Sequence, residues 1–118
     1  MKYSISQGKD HVVIKVSGPS RNNEALMAKR LLSPHLQAKG VRVTLDLAGL
    51  GPFDPASLLG VLSGIRREVN LQGGELRLCA LNPGTRRYFA ENRLDRIFRF
   101  VEEEGETSNQ EWSRDDER

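Results

Sequence analysis

The sequence predicts an α/β domain: a mixed, mostly parallel sheet of about five strands with helices packed on it. Three observations lead there. The chain has 118 residues, one domain by length and enough to bury a core without disulfide or metal staples. Its opening alternates apolar and polar residues on both sides of a Gly8-Lys9-Asp10 turn, as a hairpin does. Beyond that, strand-like and helix-like stretches take turns, which is how parallel strands with crossover helices read in sequence.

Tyr3 and Ile5 alternate with Ser4 and Ser6, and His11 to Ser17 carries Val13, Ile14 and Val16 among polar positions, so these are the two strands of the hairpin. Gly18-Pro19-Ser20 breaks the second strand. Asn22 or Asn23 can cap a helix bearing Ala25, Leu26, Ala28, Leu31 and Leu32 as its apolar set. Pro34 either kinks that helix or restarts it with Ser33 as a new cap, and Gly40 suits a left-handed closing residue. Val41 to Leu47 places β-branched and apolar residues at nearly every odd position, the pattern of a strand with one buried face. Asp54 is then a good N-cap, and Pro55 fits the first helical position because its missing N–H would have had no helical partner. Leu58, Val61, Leu62, Ile65 and Val69 follow at helical spacing, opposite Arg66, Arg67 and Glu68, until Gln72-Gly73-Gly74. Glu75 to Leu81 is another strand, Asn82-Pro83 repeats the cap-then-proline start for a third helix through about Asn92, and Ile97 to Val101 is a last short strand.

Composition narrows the function classes. Apolar residues make up 37% and charged residues 29%, with no apolar run near the 18 needed to span a bilayer, so a soluble domain with no membrane partner is expected. Met1 to Ser6 lacks the apolar core of a signal peptide, and the single Cys79 cannot form an internal disulfide; a reducing cytoplasm is the expected home. Net charge is +2, but residues 102 to 118 hold eight acids and two bases, −6, which leaves +8 on residues 1 to 101. With scattered bases and only 6% aromatics, that surplus reads as solubility rather than as a nucleic-acid platform. The domain is accordingly bounded at 1–101, and 102–118, with Trp112 as its one large apolar group, is expected to be a disordered acidic tail.

The catalytic inventory is thin. His11, His35 and Cys79 stand in three unrelated elements, so neither a metal site nor Cys–His catalysis is expected, and no cofactor is implied. Gly49-Leu50-Gly51 is only half of a dinucleotide fingerprint. Asp46 and Asp54 could be drawn as a carboxylate pair, but a strand-end residue and a helix cap explain them better. What remains is Ser57, a lone hydroxyl in the first turn of the helix that Asp54 starts. Unpaired backbone N–H groups and the positive end of the helix dipole make that turn favourable for an anion, so Ser57 is either a structural first-turn serine or a phosphoacceptor.

Five blocks, namely Val43 to Leu47, the loop ending Phe53-Asp54, Leu59-Gly60-Val61-Leu62, Gly73 to Leu78, and Asn82 to Phe89 followed by Leu94 to Phe98, together resemble the STAS domain of bacterial anti-sigma factor antagonists. The resemblance covers roughly residues 3 to 101. It implies a mixed sheet with helices on one side, no intrinsic catalysis, and partner switching. In such a cycle an anti-sigma factor serine kinase phosphorylates the antagonist, a serine phosphatase restores it, and only the unmodified form sequesters the kinase. The family's docking face implies Phe53, Asp54, Ser57 and Leu58 as partner contacts here, with Arg21 and Asn22 from the neighbouring loop; a homodimer is left open. The family loop typically reads Asp-Ser-Ser or Asp-Ser-Thr and then Gly-Leu-Gly, with the second hydroxyl phosphorylated. Counting forward from the Leu45-Asp46-Leu47 strand puts Pro55 and Ala56 at the hydroxyl positions, whereas counting back from Gly73-Gly74 puts Ser57 at the phosphorylated one. Two functions stay open: an antagonist switched at Ser57, or a STAS scaffold or transport-complex subunit that binds partners without phosphorylation.

Overall fold

The structure, a computed structural model, describes residues 1–9, 11–19 and 24–101. Strands β1 (Lys2–Gln7) and β2 (His11–Gly18) form the antiparallel hairpin, with Tyr3 opposite Val16 and Ile5 opposite Ile14. Helix α1 (Glu24–Leu32), strand β3 (Arg42–Leu50), helix α2 (Pro55–Leu71), strand β4 (Glu75–Cys79), helix α3 (Pro83–Glu91) and strand β5 (Arg99–Phe100) follow in turn. The sheet order is β1-β2-β3-β4-β5, and every pair after the hairpin is parallel. This is the fold class expected from the sequence, a single α/β domain with a five-stranded, mostly parallel sheet.

The side-chain alternation of the strands divides the molecule. Val12, Ile14 and Val16 of β2, Val43, Leu45 and Leu47 of β3, and Leu76 and Leu78 of β4 all enter one hydrophobic core. The helices close it from one side: α1 contributes Ala28 and Leu32, α2 contributes Leu58, Val61, Leu62, Ile65 and Val69, and α3 contributes Phe89. Parallel neighbours met in chain order, with right-handed crossovers, require that common side. The α2 residues are the five expected from helical spacing. Phe89 sits edge-to-face against Phe98 and Phe100, with ring centroids 6.1 and 5.3 Å away, and so ties α3 to the end of the sheet.

Several expectations are corrected. In α1, Ala28 and Leu32 of the expected apolar set are buried, joined by Glu24 in a stripe at i, i+4, i+8, whereas Leu26 and Leu31 are each 52% exposed. Ser33 does not cap a restarted helix. Pro34 instead shapes a 3₁₀ turn over Ser33–His35 whose N-cap is Leu32, and the Ser33 hydroxyl donates to Glu68 Oε1 at 2.6 Å. Strand β3 runs three residues past Leu47, because Ser17 and Gly18 of β2 continue to pair with Gly49 and Leu50 after a register shift beyond Lys15. Strand β4 stops at Cys79 rather than Leu81, and the last strand is only Arg99–Phe100, preceded by a 3₁₀ turn at Leu94–Arg96. The expected acidic tail and the proposed Asn22 or Asn23 cap lie outside the described residues.

One buried polar cluster joins the hairpin to α1. Glu24 is buried; its Oε2 accepts from the Tyr3 hydroxyl at 3.1 Å and its Oε1 from the Met1 ammonium at 2.8 Å. Burial first, and then the Glu24 charge and hydrogen bond, push the Tyr3 phenol well above its ordinary range.

Candidate functional site

The connections that follow β3 and β4 lie side by side at the carboxyl edge of the sheet, where open α/β sheets place their ligand sites. Both are built the same way. The Asp54 side chain accepts from the Ser57 N–H at 3.0 Å with Pro55 next in line, and Asn82 accepts from the Thr85 N–H at 2.8 Å ahead of Pro83. Each pair is an N-cap and an N1 proline that together stop the strand and start the helix. A shallow hollow of about 480 Å³ lies between them, lined by Leu50 to Phe53 on one side and by Asn82, Gly84 and Thr85 on the other.

The β3–α2 loop is tightly held. The Gly51 N–H donates to the Gly18 carbonyl at 2.9 Å, which binds the loop to the end of β2. A Cβ at Gly49 would come 2.9 Å from the Val16 carbonyl oxygen, and one at Gly51 would come 3.1 Å from Gly18, so close backbone approach to β2 is the reason for both glycines. The half-match to a nucleotide loop is therefore a packing feature. Farther along, Phe53 is half-buried and meets the ring of Tyr88 in α3 edge-to-face, centroids 5.7 Å apart at 67°. Tyr88 in turn rests against Phe89, so an aromatic chain runs from the loop to the core. Across the hollow, Ala80 holds a left-handed φ of 60°, an uncommon state for a residue with a Cβ that turns the chain from β4 towards Asn82.

Ser57 occupies the third position of α2 and is partly exposed. Asp54 already satisfies its backbone N–H and Pro55 has none, so the first turn is capped by the aspartate and not by the serine. Asp54 is exposed, and its carboxylate stands on the rim of the same turn. Leu58 is different. At 1% exposure it points into the core, so it anchors the turn and presents no surface to a partner. Arg21 and Asn22 lie outside the described residues.

The residues considered for catalysis have structural employment. Asp46 Oδ1 accepts from the Ala48 N–H at 2.9 Å, and Asp54 caps α2. Cys79 is buried in β4, and His35 Nδ1 is 3.0 Å from Gln7 Oε1. Among the described residues no three His, Cys, Asp or Glu side chains group as metal ligands, and no helix is long and apolar enough to cross a membrane. Sequence reasoning missed Tyr88 and Thr85. Tyr88 lies in α3, and its contact with Phe53 joins two elements far apart in the chain, which no local spacing marks. Thr85 sits where its side chain is sealed while its N–H serves the cap. A larger apolar groove of about 550 Å³ runs between α1 and α2, away from this edge, and Gly60 lets the two helices approach: a Cβ there would stand 3.3 Å from that of Ala25.

Comparison with known proteins places this geometry in context. The family model for the STAS domain matches residues 3–107. The structure superposes on the anti-sigma factor antagonist SpoIIAA in its unphosphorylated form with a TM-score of 0.71 at 15% identity, covering 95% of this chain and 98% of that one. For a serine-to-glutamate form of RsbS from Moorella thermoacetica the TM-score is 0.71 at 20% identity, over 97% and 99% of the two chains. An anti-sigma factor antagonist from Mycobacterium paratuberculosis gives 0.69 at 17% identity, with 86% of each chain covered. At such identities the likeness is one of fold.

Proposed function

The chain belongs to the STAS domain family, and from that premise we propose that it is an anti-sigma factor antagonist, a non-enzymatic binding protein that sequesters an anti-sigma serine kinase and is released by phosphorylation at Ser57. One observation carries this reading: the one hydroxyl in the first turn of α2, on Ser57, is partly exposed at the anion-friendly end of a helix whose N-cap is Asp54. The contact surface is then Phe53, Asp54 and Ser57, with Leu58 beneath it as the anchor. Phe53 supplies apolar area with its ring orientation fixed by Tyr88.

The switch follows from electrostatics. Transfer of the γ-phosphoryl group of ATP to Ser57 Oγ releases ADP and the hydroxyl proton and adds about −1.5 to −2 charges. The α2 dipole tolerates an anion at this end, so the folded domain survives the modification. The docking face fares worse. Asp54 already places a carboxylate within one turn, and a partner that buried the face against its own acids or apolar groups would now have to desolvate a phosphate beside it. A serine phosphatase that removes the group restores the neutral hydroxyl and the contact.

Pro55 and Ala56, which stand at the first and second positions of α2 without hydroxyls, favour a second reading. In it the chain is a STAS scaffold or transport-complex subunit that binds through the same face and is never phosphorylated. Intact-mass measurement after incubation with the partner kinase and ATP separates the two. One phosphate on the wild type and none on Ser57→Ala supports the switched antagonist. An unmodified wild type supports the scaffold.

A further inference from the structure

Strand β1 is an edge without the devices that usually protect one. Among the described residues it has β2 on one side and no strand on the other, whereas β5, at the opposite edge, is only two residues long. Its six residues hold no proline, pair with β2 without a bulge, and carry one charge, Lys2, at the very start. The hairpin fixes which backbone groups face out. The Gly8 N–H donates to the His11 carbonyl at 2.8 Å, which makes these two a hydrogen-bonded pair, and such pairs alternate along an antiparallel ladder. Lys2, Ser4 and Ser6 therefore turn their N–H and C=O groups to β2, and Tyr3, Ile5 and Gln7 turn theirs outward. Apolar surface flanks this edge. The Tyr3 hydroxyl donates to Glu24 Oε2 at 3.1 Å and Gln7 Oε1 lies 3.0 Å from His35 Nδ1, so α1 and the turn after it run alongside β1. Ala25 and Lys29 of α1 line the groove against α2; on the opposite side of α1, towards the open edge, Met27 and Leu31 stand one turn apart and are 48% and 52% exposed. Ile5 of β1 is itself only partly buried.

We infer that a second copy of this chain covers the edge, the two β1 strands pairing antiparallel about a two-fold axis at Ser4 so that both sheets join into one. The strand is complementary to itself in this register. Tyr3 meets Ile5 of the second copy and Ile5 meets its Tyr3, so residues with outward backbone groups face one another and the ladder hydrogen bonds form. On the helix side these are two aromatic–β-branched pairs, a combination that stabilises antiparallel neighbours. On the other side Ser4 meets Ser4 and Lys2 meets Ser6, so no like charges are opposed. A slip by one residue would set Tyr3 and Ile5 against side chains of the opposite face. The same two-fold brings the exposed Met27 and Leu31 of both copies to the seam, as a closed, isologous contact requires. A strand of six residues is about 20 Å long, and with the flank of one helix the seam stays below the roughly 800 Å² per partner of a standard interface. The dimer is therefore concentration-dependent rather than obligate. The inference does not depend on the fate of Ser57.

Disulfide trapping in the full chain tests the register. Ser4 is exposed, and across the axis it faces its own copy as a non-hydrogen-bonded pair with Cα atoms about 4.5 Å apart, inside the range a disulfide spans. Two copies of Ser6, also exposed, would stand about 14 Å apart, beyond that range. Cys79 is buried and does not compete. Under mild oxidation Ser4→Cys is expected to convert mostly to a covalent dimer on a non-reducing gel, while Ser6→Cys stays a monomer. Sedimentation equilibrium of the wild type should show a mass that climbs towards the dimer as concentration approaches about 1 mM. Met27→Glu with Leu31→Glu, at positions half-exposed in the monomer, should keep the circular dichroism of the fold and sediment as a monomer throughout. A wild type that remains monomeric at about 1 mM, a Ser6→Cys chain trapped as readily as Ser4→Cys, or a Met27→Glu, Leu31→Glu variant that dimerises like the wild type would overturn the inference.

Discussion

Removing the ring of Phe53 probes how firmly the β3–α2 loop, the proposed docking loop, is held. Phe53 is half-buried and its ring lies 5.7 Å from that of Tyr88, edge-to-face. Full burial of a phenylalanine that is cut to alanine costs roughly 3–5 kcal/mol, so a half-buried one should cost about 2. Within that sum the aromatic pair itself is worth about 0.5–1.5 kcal/mol. A double-mutant cycle of Phe53→Ala, Tyr88→Ala and the double variant isolates the pair, because area lost independently at the two sites cancels. Urea unfolding followed by circular dichroism of the full chain supplies the four free energies, with an unchanged m-value as the check that only stability moved. The expected coupling is about 1 kcal/mol, and Phe53→Ala should weaken partner binding as well. A coupling near zero would mean that Tyr88 does not hold Phe53, and the fixed loop on which the proposed docking surface rests would be refuted.

Four further outcomes follow from the same structure. Asp54→Ala should destabilise by about 1 kcal/mol and lower Tm by about 4–8 °C, while Asp54→Asn, which keeps an acceptor for the Ser57 N–H, should change little; calorimetry distinguishes them. The Tyr3 phenol is raised in the folded state, chiefly by burial, so above pH about 10 the unfolded chain releases that proton and the folded one does not. Stability is therefore expected to fall as pH climbs through that range, and Tyr3→Phe should remove this part of the fall in alkaline urea titrations. Gly64 has open space where a Cβ would stand, whereas a Cβ at Gly74 would lie 2.0 Å from the Val41 carbonyl oxygen. Gly64→Ala should thus stabilise by roughly 0.5–1 kcal/mol in the middle of α2, and Gly74→Ala should destabilise by more than that, both read from urea midpoints. Ala80→Gly should relieve the left-handed φ and gain about 1 kcal/mol.

What the sequence made legible was whatever a local pattern controls. The caps Asp54 and Asn82, each followed by proline, marked both helix starts at the site, and the 3.6-residue period of Leu58 to Val69 marked the buried face of α2. Tertiary partners decided the rest. Leu26 and Leu31 fit a helical stripe, but Gly60 admits α1 against α2 along Ala25 and Ala28, which turns those leucines outward. Strand β3 outran its apolar pattern because β2 offered it a partner beyond a register shift, and no local signal encodes that. At the site, the sequence singled out Ser57, Asp54 and Phe53 but not the Tyr88 contact or the inward turn of Leu58. Both depend on where α3 and the core sit, which residue spacing within one element does not specify.

The central claim is that a charge on Ser57 breaks the contact with the kinase. Calorimetric titration of the cognate anti-sigma kinase with wild type, with Ser57→Ala and with the chain phosphorylated at Ser57 tests it most directly. The account predicts that Ser57→Ala binds like the wild type, and that the phosphorylated chain binds at least about tenfold more weakly, about 1.4 kcal/mol. Equal affinity of all three forms would contradict it.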